Sequence, residues 1–391
     1  MLKGSAALVE QGRRPGRIAV TRLSLTGFRN YDRLRMELDG RPVTLMGPNG
    51  AGKTNLLEAV SLLTPGRGLR NARLEELAPY QSADNAWAVA ARLETGAGPV
   101  DLGTGVNPGE ERRQVRIDGK TARGQTALAP YCAAVWLTPQ MDRLFLDGAE
   151  ERRRFLDRLV FGTDPAHAGR VAAYHNARRQ RQRLLAEGGD RRWLEALERT
   201  LAQRAVAIAA ARLDLTRRLD RAAALTDEGP FPTPRIAVEG EVEELLNESP
   251  ALLVEDSLTE AWRANRASDA ASGQTSLGVH RSDLGVWYRG REIPAAQCST
   301  GEQKALLIGL SLASARLIAN EREAQPLLLL DEIAAHLDAV RRAALFELLL
   351  EDGAQVWMTG TDPELFSPLG DAAQHFSVAS GHLTLNQETA P

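Results

Sequence analysis

The chain has 391 residues, of which 43 % are hydrophobic and 25 % charged, and its formal net charge is −3. These values exclude a disordered or fibrous chain and leave room for two or three globular domains. No run of 18 or more apolar residues is present, which argues against a membrane span. The two cysteines, Cys132 and Cys298, lack metal-ligand spacing, so reduced thiols and a cytoplasmic setting are expected.

Residues 1–17 contain Gly and Arg but no apolar signal core, and are expected to be a disordered tail. Residues 18–25 alternate as a strand does, with a turn expected at Gly27. Residues 42–46 are a short apolar run. From Lys53 an amphipathic segment carries Leu56, Leu57 and Val60 on one face, so the stretch reads strand, loop, helix. Residues 87–93, 100–106 and 113–117 alternate between turn residues, as a small antiparallel sheet would, with Asp118-Gly119 as a hairpin turn.

The middle of the chain is helical in composition. Residues 166–186 and 191–225 are interrupted by Gly188-Gly189-Asp190, which predicts an antiparallel hairpin. Its second helix has an apolar stripe of Leu194, Leu197, Leu201, Ala205 and Ile208. From Glu151 to Arg221 there are 17 Arg against 9 acidic residues, whereas residues 222–260 hold one Arg, Arg235, against 10 acids. This asymmetry fits one basic and one acidic face, or simply two solvated helical surfaces. Pro230, Pro232 and Pro234 break the helix, and residues 239–261 read as loop plus helix. The last third returns to α/β character: a loop and helix at 297–318, a buried strand at 327–330, a helix at 340–350 and a strand at 355–359.

Three motifs carry chemistry. Gly47-Pro48-Asn49-Gly50-Ala51-Gly52-Lys53-Thr54 fits the phosphate-binding loop G-x-x-x-x-G-K-[ST] between a predicted strand and helix. Its glycines let backbone N–H groups curl around phosphate oxygens, Lys53 would reach the β- and γ-phosphates of ATP, and the Thr54 hydroxyl would bind Mg²⁺. Leu327 to Leu330 end in Asp331 and Glu332; Asp331 would hold Mg²⁺ through water and Glu332 would polarise the attacking water. Ser299-Thr-Gly301-Glu-Gln303-Lys304 opens a long apolar helix. The same residues make either an ordinary N-cap with a capping box or a second anion site that meets the γ-phosphate held by another copy. His336-Leu-Asp338 follows the acidic pair and on its own means little.

The order strand, phosphate loop, helical insertion, signature loop and Asp-Glu strand resembles the ABC-type ATPase heads of SMC and Rad50 proteins. Within that class the chain resembles the RecF family of bacterial DNA replication and recombination-repair proteins. The resemblance covers most of residues 18–365. Its more specific pieces are residues 25–31, 47–58, 151–157 (Glu-Arg-Arg-Arg-Phe-Leu-Asp), 278–284 (Gly-Val-His-Arg-Ser-Asp-Leu) and 298–304. It implies an α/β fold: an ABC-type head over residues 18–140 and 275–391, with a mixed central sheet and an antiparallel β subdomain, plus a helical lobe over 141–274. It further implies that Gln140, after Thr138-Pro139, couples Mg²⁺ to the lobe. Arg29 and Asn30 would lie near the nucleotide with Ser299, Gly301 and Gln303, and Arg70 would face nucleotide or DNA. His280 and Arg281 are either near the nucleotide or interface, or an ordinary strand turn. Thr359 and Thr361 stand where transporter ATPases carry a switch His, which puts histidine-assisted hydrolysis in doubt and suggests slow turnover.

The function implied is an ATP-gated, DNA-binding dimer that acts as a weak ATPase and supports recombinase loading at single-strand gaps, with RecR and RecO as partners. A transporter ATPase subunit has a much shorter stretch between phosphate loop and signature. A Rad50-like head would carry a longer coiled coil and a Cys-x-x-Cys hook.

Overall fold

The structure is a computed structural model that describes residues 16–80, 82, 84–224 and 231–386. Residues 1–15 of the expected tail lie outside it, but Gly16 and Arg17 belong to a short strand, β1 (Gly16–Arg17), parallel to β13 (Ala324–Gln325).

Two six-stranded sheets form the head. The first, in the order β17-β16-β4-β15-β14-β9, comprises β4 (Val43–Met46), β9 (Ala134–Leu137), β14 (Leu327–Leu330), β15 (Val356–Gly360), β16 (Gln374–Ala379) and β17 (His382–Leu385). All its neighbours are parallel except the β16/β17 hairpin. The second is antiparallel, in the order β3-β2-β5-β6-β7-β8: β2 (Ala19–Phe28), β3 (Tyr31–Glu37), β5 (Trp87–Thr95), β6 (Gly98–Val106), β7 (Gln114–Ile117) and β8 (Lys120–Thr121). Asp118 and Gly119 both take positive φ, 48° and 76°, the conformation a two-residue hairpin needs. The turn expected at Gly27 lies two residues later. β2 runs through Gly27, and Phe28 pairs with Tyr31 across Arg29-Asn30, with Arg29 at φ 54°.

A parallel strand covered on both faces reads as a continuous apolar run, and β14 is one. Leu327 and Leu329 enter the core shared with α1 (Lys53–Ser61) and the antiparallel sheet. Leu328 and Leu330 enter the core shared with α8 (Thr300–Arg322) and α9 (Ala339–Asp352).

The lobe contains α2 (Ala149–Thr163), α3 (His167–Ala186), α4 (Arg191–Ala224), α5 (Glu241–Glu248), α6 (Ala251–Ala264) and α7 (Arg266–Ser272). The predicted stripe on α4 is buried, and it meets α3 on one side and α6 on another. Beside these helices lies a three-stranded antiparallel sheet, β10 (Pro234–Glu239), β11 (Asp283–Tyr288) and β12 (Ile293–Pro294). Its register pairs Arg235 with Trp287, so chain beyond residue 274 completes lobe structure. Residues 239–261, expected as loop plus helix, instead end β10 and form two helices, α5 and α6, packed on α4.

Two of the arm's arginines, Arg181 and Arg212, are internal. Arg181 is fully buried and bonds Glu198 (3.0 Å), Asp269 (2.6 Å) and the Trp262 carbonyl (2.8 Å); Arg266 closes on the other side of Glu198. Arg212 grips both oxygens of Asp157 and the Val279 carbonyl. Removing one member of such a network leaves unpaired buried charge. Arg181→Ala should destabilise the protein by about 3–5 kcal/mol in urea denaturation, with the loss concentrated in a lobe transition.

Candidate nucleotide site

The phosphate loop joins β4 to α1, and its glycines are needed for two different reasons. A Cβ on Gly47 would come within 2.1 Å of the Val378 carbonyl oxygen of β16. Gly52 has φ 113°, and a Cβ there would meet Asn30 Nδ2 at 2.5 Å and Tyr31 Oη at 2.6 Å. Pro48, Asn49 and Gly50 form an exposed lip, while Ala51 and Gly52 are buried beneath it. Lys53 is nearly buried and donates to the carbonyls of Gly47 (2.7 Å) and Pro48 (3.0 Å). Burial pushes its pKa down, while the charges of Glu332 and Asp331 pull the other way.

The carboxylates arrive from β14. Thr54 Oγ1 donates to Asp331 Oδ1 (2.9 Å) and lies 3.1 Å from Oδ2. Thr359 Oγ1, at the end of β15, donates to Asp331 Oδ1 (2.8 Å) and accepts from the backbone N–H of Glu332 (2.8 Å). Glu332 itself stands at φ 55°, a left-handed conformation that costs a non-glycine residue of order 1–3 kcal/mol and persists only where surroundings enforce it. Thr359 supplies that enforcement. The sequence marked Thr359 only as the place of an absent histidine; a threonine ending a strand carries no signal of this role.

Gln140 is exposed in a single 3-10 turn, Pro139–Arg143, just beyond β9. Because Leu137 of β9 pairs with Leu330 of β14, that turn starts at the same sheet edge as Asp331. Arg29 and Asn30 also reach the loop's neighbourhood. Asn30 Nδ2 donates to the Ala51 carbonyl (3.2 Å), and Asn55 Nδ2 donates to Asn30 Oδ1 (2.7 Å). Arg29 binds both oxygens of the buried Glu58 on α1 (2.8 and 2.9 Å), and Arg70 adds a bond to Glu58 (3.0 Å) and one to Asn55 (2.7 Å). Both arginines thus brace α1. Arg29, Asn30, Asn55, Glu76 and Tyr80 line an open cleft of about 890 Å³ beside the loop.

The signature residues sit elsewhere. Ser299 caps α8 in a capping box with Glu302, whose carboxylate accepts from the Ser299 N–H (2.9 Å). Ser299 and Gly301 remain exposed. Gln303 does not: it is buried, and its amide donates back to the carbonyl of Cys298 (2.9 Å). Helical periodicity explains this, because position 303 lies on the core side of the first turn. Lys304 forms an ion pair with Asp142 (2.8 Å), tying α8 to the turn that holds Gln140. His280 belongs to the lobe, where it contacts Tyr174 of α3.

Comparison with known proteins places the chain in a family. The family model of the RecF/RecN/SMC N terminal domain matches residues 19–382. The chain is 49 % identical over 374 residues to the DNA replication and repair protein RecF of Mesorhizobium japonicum, covering 94 % of this chain and 98 % of that one. The chain belongs to the RecF family. The protein of the same description from Brucella suis is 48 % identical over 379 residues, covering 95 % and 97 %. In fold, a solved structure of the recombination mediator protein RecF-ATP in the RecFOR pathway gives a TM-score of 0.81 at 20 % identity, covering 97 % of this chain and 100 % of that one. An Smc head domain from Pyrococcus furiosus gives 0.50 at 16 % identity, covering 94 % and 96 %.

Thr359→Val removes both hydrogen bonds at constant volume. It should leave ATP affinity nearly unchanged and slow hydrolysis on the order of 10²-fold, with Thr359→Ser close to wild type in a steady-state phosphate-release assay.

Proposed function

We propose that the chain is an ATP-gated, DNA-binding recombination mediator: ATP binding brings two copies together around DNA, and slow hydrolysis releases them. The observation that carries this reading is the Asp331 carboxylate, held jointly by Thr54 of the phosphate loop and Thr359, with Glu332 fixed beside it. Family membership supports the biological setting, the repair of DNA with RecR and RecO as partners in the cytoplasm.

The loop residues fit a nucleotide triphosphate. Lys53 Nζ bonds two carbonyls of its own loop, contacts that phosphate oxygens would replace. The Thr54 hydroxyl and Asp331 carboxylate are hard oxygen donors within hydrogen-bond distance of each other, the donor set of Mg²⁺. Among the described residues no group of three His, Cys, Asp or Glu could hold a metal unaided, which fits an ion completed by phosphates and water. Bound there, Mg²⁺ would neutralise phosphate charge, with Gln140 as a further ligand. Glu332 would orient and polarise the attacking water. The adenosine end would occupy the cleft lined by Arg29, Asn30, Asn55 and Tyr80.

Ser299 and Gly301 are exposed at the positive end of a 23-residue helix, and in the dimer they would meet the γ-phosphate held by the other copy. Gln303, spent inside its own loop, would shape this end rather than touch the nucleotide. Nucleotide held between two copies makes dimerisation depend on ATP.

Light scattering with and without ATP tests the reading. Wild-type mass should double at saturating ATP. Glu332→Gln should bind ATP and remain dimeric, while Lys53→Ala should lose ATP binding and stay monomeric. A Glu332→Gln variant that is monomeric at saturating ATP contradicts the sandwich.

A further inference from the structure

Two of the sequence blocks that carry the resemblance, residues 151–157 and 278–284, fold against each other in the lobe. Arg152 binds both oxygens of Asp283 (2.7 and 2.8 Å), and Arg153 donates to the Ser282 carbonyl (2.7 Å). Arg212 joins Asp157 to the Val279 carbonyl. The backbone of the second block turns tightly, with the Arg281 N–H bonded to the Gly278 carbonyl (2.9 Å). His280 Nε2 bonds the Thr275 carbonyl (2.9 Å), and His280 Nδ1 meets the buried Tyr174 hydroxyl (2.8 Å). A Cβ at Gly278, φ 132°, would come within 2.3 Å of that hydroxyl, so the pair fits only against glycine. The result is a rigid floor made by α3 and the turn before β11.

Two arginines flank the Tyr174–His280 contact. Arg178 lies one helical turn beyond Tyr174 on α3, and Arg281 follows His280. Among the described residues neither side chain takes a hydrogen bond or ion pair. The nearby carboxylates are engaged: Asp157 by Arg212 and His167, Asp283 by Arg152, and Glu243 by Ser282. Burial first, then the charges of Arg178 and Arg281, push His280 down to about 4, and burial with Arg178 also lowers His175. Uncompensated positive charge on a fixed scaffold is what a phosphate oxyanion requires.

We propose that Arg178 and Arg281, with His175 at their side, form a binding site for a phosphate of the nucleic-acid backbone. The site lies on the lobe, on elements other than the phosphate loop, and it rests on the DNA-binding reading above. Phosphate contacts of this kind position DNA without reading its sequence.

Duplex DNA binding at saturating ATP, followed by fluorescence anisotropy over a range of salt, tests the site in full-length Arg178→Ala, Arg281→Ala and the double variant. The slope of log affinity against log salt should fall by roughly 1 for each guanidinium removed. Affinity of the double variant should drop about tenfold or more at moderate salt. ATP binding and thermal midpoint should hold, since neither cation has a partner in the fold. Inorganic phosphate is the second probe: titrated into wild type, it should raise the pKa of His280 and His175 followed by NMR of their rings. A wild type that binds DNA and a double variant with the same slope overturn this proposal alone. A phosphate response with no DNA binding by wild type overturns both the DNA reading and the nucleic-acid assignment, leaving a site for free phosphate.

Discussion

The nucleotide site depends on one carboxylate. Asp331 ends a strand buried on both faces, and its two oxygens are claimed by Thr54 on one side and Thr359 on the other. Each partner comes from a different parallel connection: Thr54 follows β4, Thr359 closes β15, and these strands are neighbours in the sheet. The sheet therefore sets the site before any ligand arrives. Thr359 also accepts from the Glu332 N–H, so the same hydroxyl holds Asp331 and Glu332 in register. The strained backbone of Glu332 is affordable because both cores press on β14 from either face.

The location of this site was legible in the sequence because it rests on short contiguous motifs. Glycine spacing, Lys53-Thr54 and four leucines before Asp331-Glu332 state the loop and the acidic strand in a dozen or so residues. Element positions in the head were legible for a similar reason: β14 occupies 327–330, as its apolar run predicts. What the sequence did not disclose depends on contacts between distant segments. Thr359 acts on residues some thirty positions away, and nothing in its local pattern says so. Gln303 reads as part of a signature, yet helical geometry turns it inward. Gly27 reads as a turn, but pairing of Phe28 with Tyr31 of β3 carries β2 past it. The lobe shows the same limit, because β10 finds β11 across a long separation that no periodicity records.

Charge composition was the least faithful guide. The arginine excess from Glu151 to Arg221 looks like a surface for polyanions, and part of it is masonry instead. Arg181 and Arg212 are buried and spend their charge on Glu198, Asp269 and Asp157. Buried ion networks of this kind contribute specificity of packing as much as stability, because each guanidinium accepts only partners placed at its fork. The other arginines of the arm remain at least partly exposed to solvent.

The ion pair between Lys304 and Asp142 joins the first turn of α8 to the turn carrying Gln140. In the proposed two-copy sandwich, those two turns would face different nucleotides: Gln140 its own copy's, α8 its neighbour's. A tie between them would couple occupancy of one pocket to the position of the other. Such coupling would make the affinity of the second pocket depend on the filling of the first, so ATP uptake by the pair would depart from a hyperbolic curve.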